Sequence, residues 1–113
     1  MSEFAYLFRG REPGGSPDEM QQQMDKWVAW MKQLGAEGRI KDPGNPLERT
    51  GKVVSGRQRV VSDGPYAEAK DLVGGYIVVE AADLTQAAEI ARGCPIFDAG
   101  GFVEVRPIRT MNV

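Results

Sequence analysis

Alternating apolar residues close to the start of the chain predict a first β-strand over Glu3–Arg9. Phe4, Tyr6 and Phe8 fall on one face of this strand, because successive side chains of a strand point to opposite sides. The other face also carries apolar side chains, so we expect the strand to be covered on both sides.

A helix is predicted after a loop that is rich in glycine and proline. Ser16 is suited to the N-cap, Pro17 to the first helical position, and Glu19 completes a capping box. Gly35 is expected to end the helix. Apolar side chains form a stripe at helical spacing, which consists of Met20, Met24, Trp27, Met31 and Leu34. We expect the three central members of this stripe to lie in the core, between the helix and a sheet.

The middle of the chain predicts short strands separated by turns. A strand is expected over Glu37–Lys41, and Lys52–Val54 and Arg57–Ser62 are expected to form a hairpin around Ser55-Gly56. Asp63-Gly64-Pro65-Tyr66 has the composition of a turn.

The second half of the chain predicts a central strand, a helix and a last strand. Leu72–Ala81 is apolar on both faces, and the pair Gly74-Gly75 indicates a bulge within it. Asp83 is suited to cap the second helix, and Phe102–Ile108 is the last strand. The second helix is expected to bury one face, formed by Leu84, Ala87, Ala88 and Ala91.

This order of elements predicts one α+β domain over residues 1–113, with the ferredoxin-like plan βαββαβ and an inserted hairpin. Two helices can cover only one face of a four-stranded sheet. An exposed apolar face of that kind usually marks a partner surface, so we expect a homodimer in which two sheets stack.

Composition narrows the classes of function. The net charge of −2 comes from well-mixed signs, so we expect no nucleic-acid partner. No apolar run is long enough for a signal peptide or a membrane span, and Cys94 is the only cysteine, so we expect a cytoplasmic protein. The chain contains no histidine, which removes the usual side chain for proton transfer near neutral pH. We expect neither a cofactor nor a metal site.

Two sequence blocks resemble a known family. Asp63-Gly64-Pro65-Tyr66-Ala67-Glu68-Ala69-Lys70 leads into Leu72-Val73-Gly74-Gly75-Tyr76, and the chain closes with Gly100-Gly101-Phe102-Val103-Glu104-Val105-Arg106-Pro107. These blocks are similar to those of the YCII-related superfamily, DGPF type. The resemblance implies a dimeric α/β barrel and, for some members, a link to sigma factors. It also implies a His–Asp active-site pair in some members. Asp63 matches the aspartate, but no histidine is present to complete the pair.

The candidate site residues follow from this turn and its surroundings. Asp63 is the candidate catalytic or ligand-anchoring group, because a rigid turn holds its carboxylate next to the end of a strand. The other ligand-binding candidates are Tyr66, Tyr76, Arg57 and Arg59, which supply hydroxyl groups and cationic donors. Asp63 can equally serve only to accept hydrogen bonds within its own turn.

Two functions remain open at this point. The first is a dimeric protein that binds an unknown small molecule and has an unidentified enzymatic activity. The second is a non-catalytic regulatory or interaction domain with a protein partner, such as a sigma factor. A deep pocket near Asp63 favours the first, and an apolar surface that stays exposed after dimerisation favours the second.

Overall fold

The structure is a computed structural model, and it describes residues 1–11, 14–64 and 71–111. The strands are β1 (Ser2–Arg9), β2 (Ile40–Pro46), β3 (Gly51–Ser55), β4 (Val60–Gly64), β5 (Val73–Ala81) and β6 (Phe102–Pro107). The helices are α1 (Pro17–Ala36) and α2 (Leu84–Ala91), and a short 3-10 helix spans Pro95–Ala99.

Four strands form an antiparallel sheet in the order β2-β5-β1-β6. The two central strands are therefore β1 and β5, as their apolar sequences predict. Strands β3 and β4 form a separate two-stranded sheet, which is the inserted hairpin. The α+β fold is confirmed, and the strand order agrees with the ferredoxin-like plan.

The core lies between one face of the sheet and the helices. Phe4, Tyr6 and Phe8 are buried on β1, as predicted, and Ala87 is buried on α2. The Tyr6 hydroxyl donates a hydrogen bond to the carbonyl of Ala87, which ties α2 to the central strand. Alternate residues of β5 contribute the buried apolar side chains Ile77, Val79 and Ala81.

The packing of α1 differs from the prediction. Met24 was expected in the core, but it is 56% exposed, while Trp27 and Met31 are partly buried. Trp30 and Leu34 are the buried residues of the helix. The indole rings decide this rotation, since Trp30 packs on Phe8 with ring centroids 6.2 Å apart and the smaller methionines are left at the edge of the contact.

Helix α1 also ends later than predicted. Ser16 caps its start, and its hydroxyl accepts a hydrogen bond from the amide of Glu19 at 3.2 Å. Gly35 is an internal helical residue, and the chain leaves the helix at Gly38, which has φ of +71°. The amide of Arg39 donates to the carbonyl of Leu34, and the amide of Gly38 donates to the carbonyl of Gly35. These two bonds are those of a Schellman motif.

The bulge predicted in β5 is present. Phe8 lies opposite Gly75 and Arg9 lies opposite Val73, so Gly74 is the extra residue. The hairpin is also confirmed, although a turn at residues 56–59 joins its strands in place of the predicted Ser55-Gly56. β2 starts later than expected and runs through Pro46.

Helix α2 begins as predicted, because the Asp83 carboxylate accepts a hydrogen bond from the amide of Gln86 at 2.8 Å. Its buried face is narrower than expected. Ala87 and Ala91 are buried, but Leu84 is 47% exposed and Ala88 is exposed, because a helix of eight residues presents only about two turns to the sheet. Within the described residues, no helix is long and apolar enough to cross a membrane.

Candidate functional site

A pocket of about 220 Å³ opens between α1 and the sheet, at the end of β1. The sheet contributes Phe8 and Ile77, and α1 contributes side chains from three successive turns. Ile96 of the 3-10 helix closes one side. The lining from α1 and β2 consists of Met24, Trp27, Met31, Pro43, Asn45 and Pro46.

Aromatic rings give the interior of the pocket a defined shape. Phe8 and Trp27 meet edge to face, with centroids 4.9 Å apart and planes at 87°. Trp27 also contacts Trp30 edge to face at 5.9 Å. Edge-to-face pairs are a favoured aromatic arrangement, so these rings are held in place in the absence of a ligand.

The bulge in β5 leaves one wall of the pocket without side chains. A Cβ atom on Gly75 would lie 3.2 Å from the carbonyl oxygen of Asn45, so β2 approaches this backbone closely. Gly44 of β2 has φ of +58°, and a Cβ atom there would collide with the carbonyl of Tyr76. Glycine on both strands is thus what brings β2 against β5 beside the pocket.

Few polar side chains of the residues that the structure describes reach the pocket. Arg11 and Asn45 line it and are exposed, and neither side chain forms a hydrogen bond or ion pair within the described part of the chain. The indole N–H of Trp27 is enclosed and donates to no acceptor there either. An unmet buried donor of this kind costs about 1–3 kcal/mol.

Of the residues proposed from sequence, Tyr76 belongs to the lining of this pocket, although it alternates with Ile77 along β5 and its side chain lies on the face of the sheet away from the helices. Asp63 lies on β4, and Arg57 and Arg59 lie in the turn between β3 and β4. All three are exposed and are absent from the pocket lining, so the structure does not bring them together with Tyr76 there. Tyr66 lies outside the described residues.

The surroundings of Asp63 are those of an exposed ion pair. Its carboxylate is 91% exposed and pairs with the Lys52 ammonium directly across the hairpin. Pairs of this kind contribute little to stability because water and salt screen them. A ligand role for Asp63, Arg57 and Arg59 stays a prediction.

Arg11 and Asn45 did not stand out in the sequence. Both lie in segments rich in glycine and proline, where a polar side chain usually faces solvent. The signal available was the Gly74-Gly75 pair, since adjacent glycines within an apolar strand indicate a close backbone approach or a bulge.

Two buried ionisable groups lie apart from the pocket lining. Burial raises the pKa of Tyr6 to about 12, although the Arg39 charge opposes this shift. Burial also raises the pKa of the Cys94 thiol to about 12, against a smaller opposing effect of a backbone hydrogen bond from Ile96. Both groups are therefore neutral at physiological pH, and Cys94 has the character of a structural thiol and not of a nucleophile.

Comparison with known proteins agrees with the architecture. The chain matches the YCII-related domain over residues 4–112, and it belongs to the YCII-related family. No curated protein matches the chain in sequence.

One similar solved structure is 5-chloro-2-hydroxyhydroquinone dehydrochlorinase (TftG) from Burkholderia phenoliruptrix AC1100, in complex with 2,5-dihydroxybenzoquinone. The two chains are 20% identical, with a TM-score of 0.50, and the match covers 95% of this chain and 93% of the dehydrochlorinase chain. At this identity the likeness shows a shared fold.

Proposed function

We propose that this protein is a homodimer that binds a small organic molecule in the pocket between α1 and the sheet. The observation that carries the proposal is the pocket itself, with apolar walls, ordered aromatic rings and a few polar groups at its edge. Small-molecule sites typically combine an apolar lining with a few polar groups that orient the ligand. The dehydrochlorinase with the same fold, solved with a bound quinone, supports this class of function.

The size of the pocket limits the ligand. Drug-sized ligands occupy pockets of about 300–1,000 Å³. At about 220 Å³, this pocket is smaller than that range, so by itself it suits a small metabolite. A more open groove of about 510 Å³ shares Met24, Trp27, Met31 and Pro43 with it.

A second copy of the chain is the proposed partner, because the described residues leave two apolar surfaces uncovered. On the face of the sheet opposite the helices, Leu7 lies across from Tyr76 and Ala5 across from Val78, and all four are only partly buried. The hairpin is the other surface, since its exposed apolar side chains are Val54, Val60 and Val61, at 62%, 56% and 61%. An isolated two-stranded hairpin is marginally stable at best, so contact with a partner would stabilise it.

A thermal-shift screen of small metabolites tests the binding function. Met24→Trp places a large ring at the pocket, and Met24 is exposed enough to accept it without disturbing the core. Met20→Trp is the matched control, because Met20 is 57% exposed one turn away on the same helix and does not line the pocket.

We expect the screen to find compounds that raise the melting temperature of the unmodified protein and of Met20→Trp. The same compounds should not raise the melting temperature of Met24→Trp. Ligands that stabilise both variants equally would place binding elsewhere and contradict the proposed site. A screen without any stabilising compound would favour the interaction-domain hypothesis.

A further inference from the structure

The mouth of the pocket carries two polar side chains that no described residue satisfies. The guanidinium of Arg11 has up to five N–H donors and the amide of Asn45 has two. Asp42, the acidic residue of β2, accepts a hydrogen bond from the amide of Gly44 through one of its two carboxylate oxygens, at 2.8 Å. Asp42 is also absent from the pocket lining. The mouth is therefore rich in donors, and among the described residues that line the pocket the one side chain of fixed charge is the cationic Arg11.

The interior of the pocket is apolar, in contrast to its polar mouth. Phe8, Trp27, Ile77 and Ile96 present ring edges and aliphatic carbon, and Met31 adds a thioether. Thioether sulfur makes favourable contacts with aromatic rings. A dry cavity of about 150 Å³ lined by such residues accepts benzene, so 220 Å³ accommodates one ring with a short substituent.

From this polarity we infer that the ligand is an aromatic carboxylate with a single ring. The ring lies among Phe8, Trp27 and Met31, and the carboxylate lies at the mouth, where Arg11 and Asn45 donate hydrogen bonds to it. This inference rests on the proposed function and names the chemical class of its ligand. Arg pairs with carboxylates through two parallel N–H bonds, which fixes the direction in which the ring enters.

Three commercially available probes separate the parts of this inference. Benzoate carries both the ring and the charge, benzamide keeps the ring without the charge, and cyclohexanecarboxylate keeps the charge without the aromatic ring. Their dissociation constants are measured by titration of the Trp27 indole N–H signal in NMR spectra. Arg11→Gln removes the cation at the mouth, and Arg57→Gln is its control, because Arg57 is exposed in the hairpin turn and the two variants have the same net charge.

We expect benzoate to bind about tenfold more tightly than benzamide, as for a hydrogen bond to a charged group, and also more tightly than cyclohexanecarboxylate. Arg11→Gln should remove this preference for benzoate and leave benzamide binding within about twofold, while Arg57→Gln should change neither. This pattern would support a carboxylate held by Arg11.

Other outcomes would contradict the inference of an aromatic carboxylate. They can be distinguished from a failure of the proposed binding function. Equal affinity for benzoate and benzamide, or equal effects of the two arginine variants, would exclude a carboxylate at Arg11. Equal affinity for cyclohexanecarboxylate would exclude an aromatic requirement. If none of the three probes binds while the metabolite screen still finds ligands that Met24→Trp abolishes, the ligand class is wrong and the pocket is still a binding site. If that screen also fails, the proposed function fails as well.

Discussion

At the scale of single residues, the packing of Trp30 sets the orientation of α1 against the sheet and leaves Met24 exposed. Spacing identified the apolar side of α1, and Trp27, Met31 and Leu34 do contact the core. It did not identify which edge of that side lies deepest, because Trp30 flanks the stripe and its ring is large enough to set the contact with Tyr6 and Phe8. The depth of a residue depends on the shape of its partners, and these become neighbours only after folding.

Truncation of Trp30 tests this packing. Trp30 is 6% exposed, so Trp30→Ala should lower the free energy of unfolding by about 3–5 kcal/mol, as for other buried large aromatic residues. Met20→Ala, at a highly exposed position, should change it by no more than about 0.5 kcal/mol. Urea unfolding measures both. Equal effects of the two substitutions would contradict the observed rotation of α1.

The raised pKa values of Tyr6 and Cys94 predict a loss of stability at alkaline pH. The thiol has an ordinary pKa of 9.0 and the phenol one of 10.0, and burial raises both to about 12 in the fold. Above pH 9 the unfolded chain releases these protons before the folded chain does, so stability falls as pH rises from about 9 to about 12. Below pH 9 neither group contributes to the pH dependence.

Unfolding free energies at several pH values between 8 and 11 would measure this loss. Cys94→Ala should make the decline that begins near pH 9 shallower, and Tyr6→Phe should do the same above pH 10. If the unfolding free energies of both variants fall with pH as steeply as those of the unmodified protein, Tyr6 and Cys94 do not cause the alkaline loss of stability.

At the scale of elements, the start of α1 was predictable and its end was not. The start depends on side chains, since Ser16, Pro17 and Glu19 each have a role at a helix N-terminus that sequence reveals. The end depends on which of two glycines takes a positive φ. Gly35 and Gly38 are equally suited to that role in sequence, and the hydrogen bond of Arg39 to Leu34 selects Gly38.

Alanine substitutions at these two glycines should have opposite effects. Gly38 has φ of +71°, so Gly38→Ala should destabilise the protein by about 1–2 kcal/mol through backbone strain. Gly35 is helical and its Cβ position is open, so Gly35→Ala should stabilise it by up to about 1 kcal/mol. Thermal unfolding distinguishes the two signs. If Gly35→Ala destabilised the protein and Gly38→Ala had no effect, α1 would end at Gly35, as the sequence predicts, and not at Gly38.

At the scale of the whole molecule, the fold was more predictable than the site. The order of elements follows from local patterns, and the ferredoxin-like strand order follows from that order by general topology. The pocket arises where α1, β2, β5 and the 3-10 helix do not fully meet, and no local pattern encodes such a gap. The sequence directed attention to Asp63 because its block has the composition of a turn, although Asp63 lies on β4 in the structure. Arg11 and Asn45 acquire their position only from the assembled fold.

The proposed homodimer can be measured by sedimentation at micromolar concentration. We expect about twice the monomer mass of 12.4 kDa. Val54→Lys combined with Val61→Lys should shift the equilibrium towards monomer, because these residues lie opposite each other on one exposed face of the hairpin. Leu84→Lys, at a comparably exposed position on α2, should leave the dimer intact. If the unmodified protein sediments as a monomer, the proposed homodimer is wrong.

The methionine methyl groups provide the most direct test of the proposed binding site. The chain has five methionines, of which Met24 and Met31 line the pocket and Met1, Met20 and Met111 do not. With ¹³C-labelled methyl groups, a titration with any ligand from the metabolite screen should shift the Met24 and Met31 signals and leave the other three in place. Shifts confined to Met1, Met20 or Met111, with Met24 and Met31 unchanged at saturation, would contradict a binding site between α1 and the sheet.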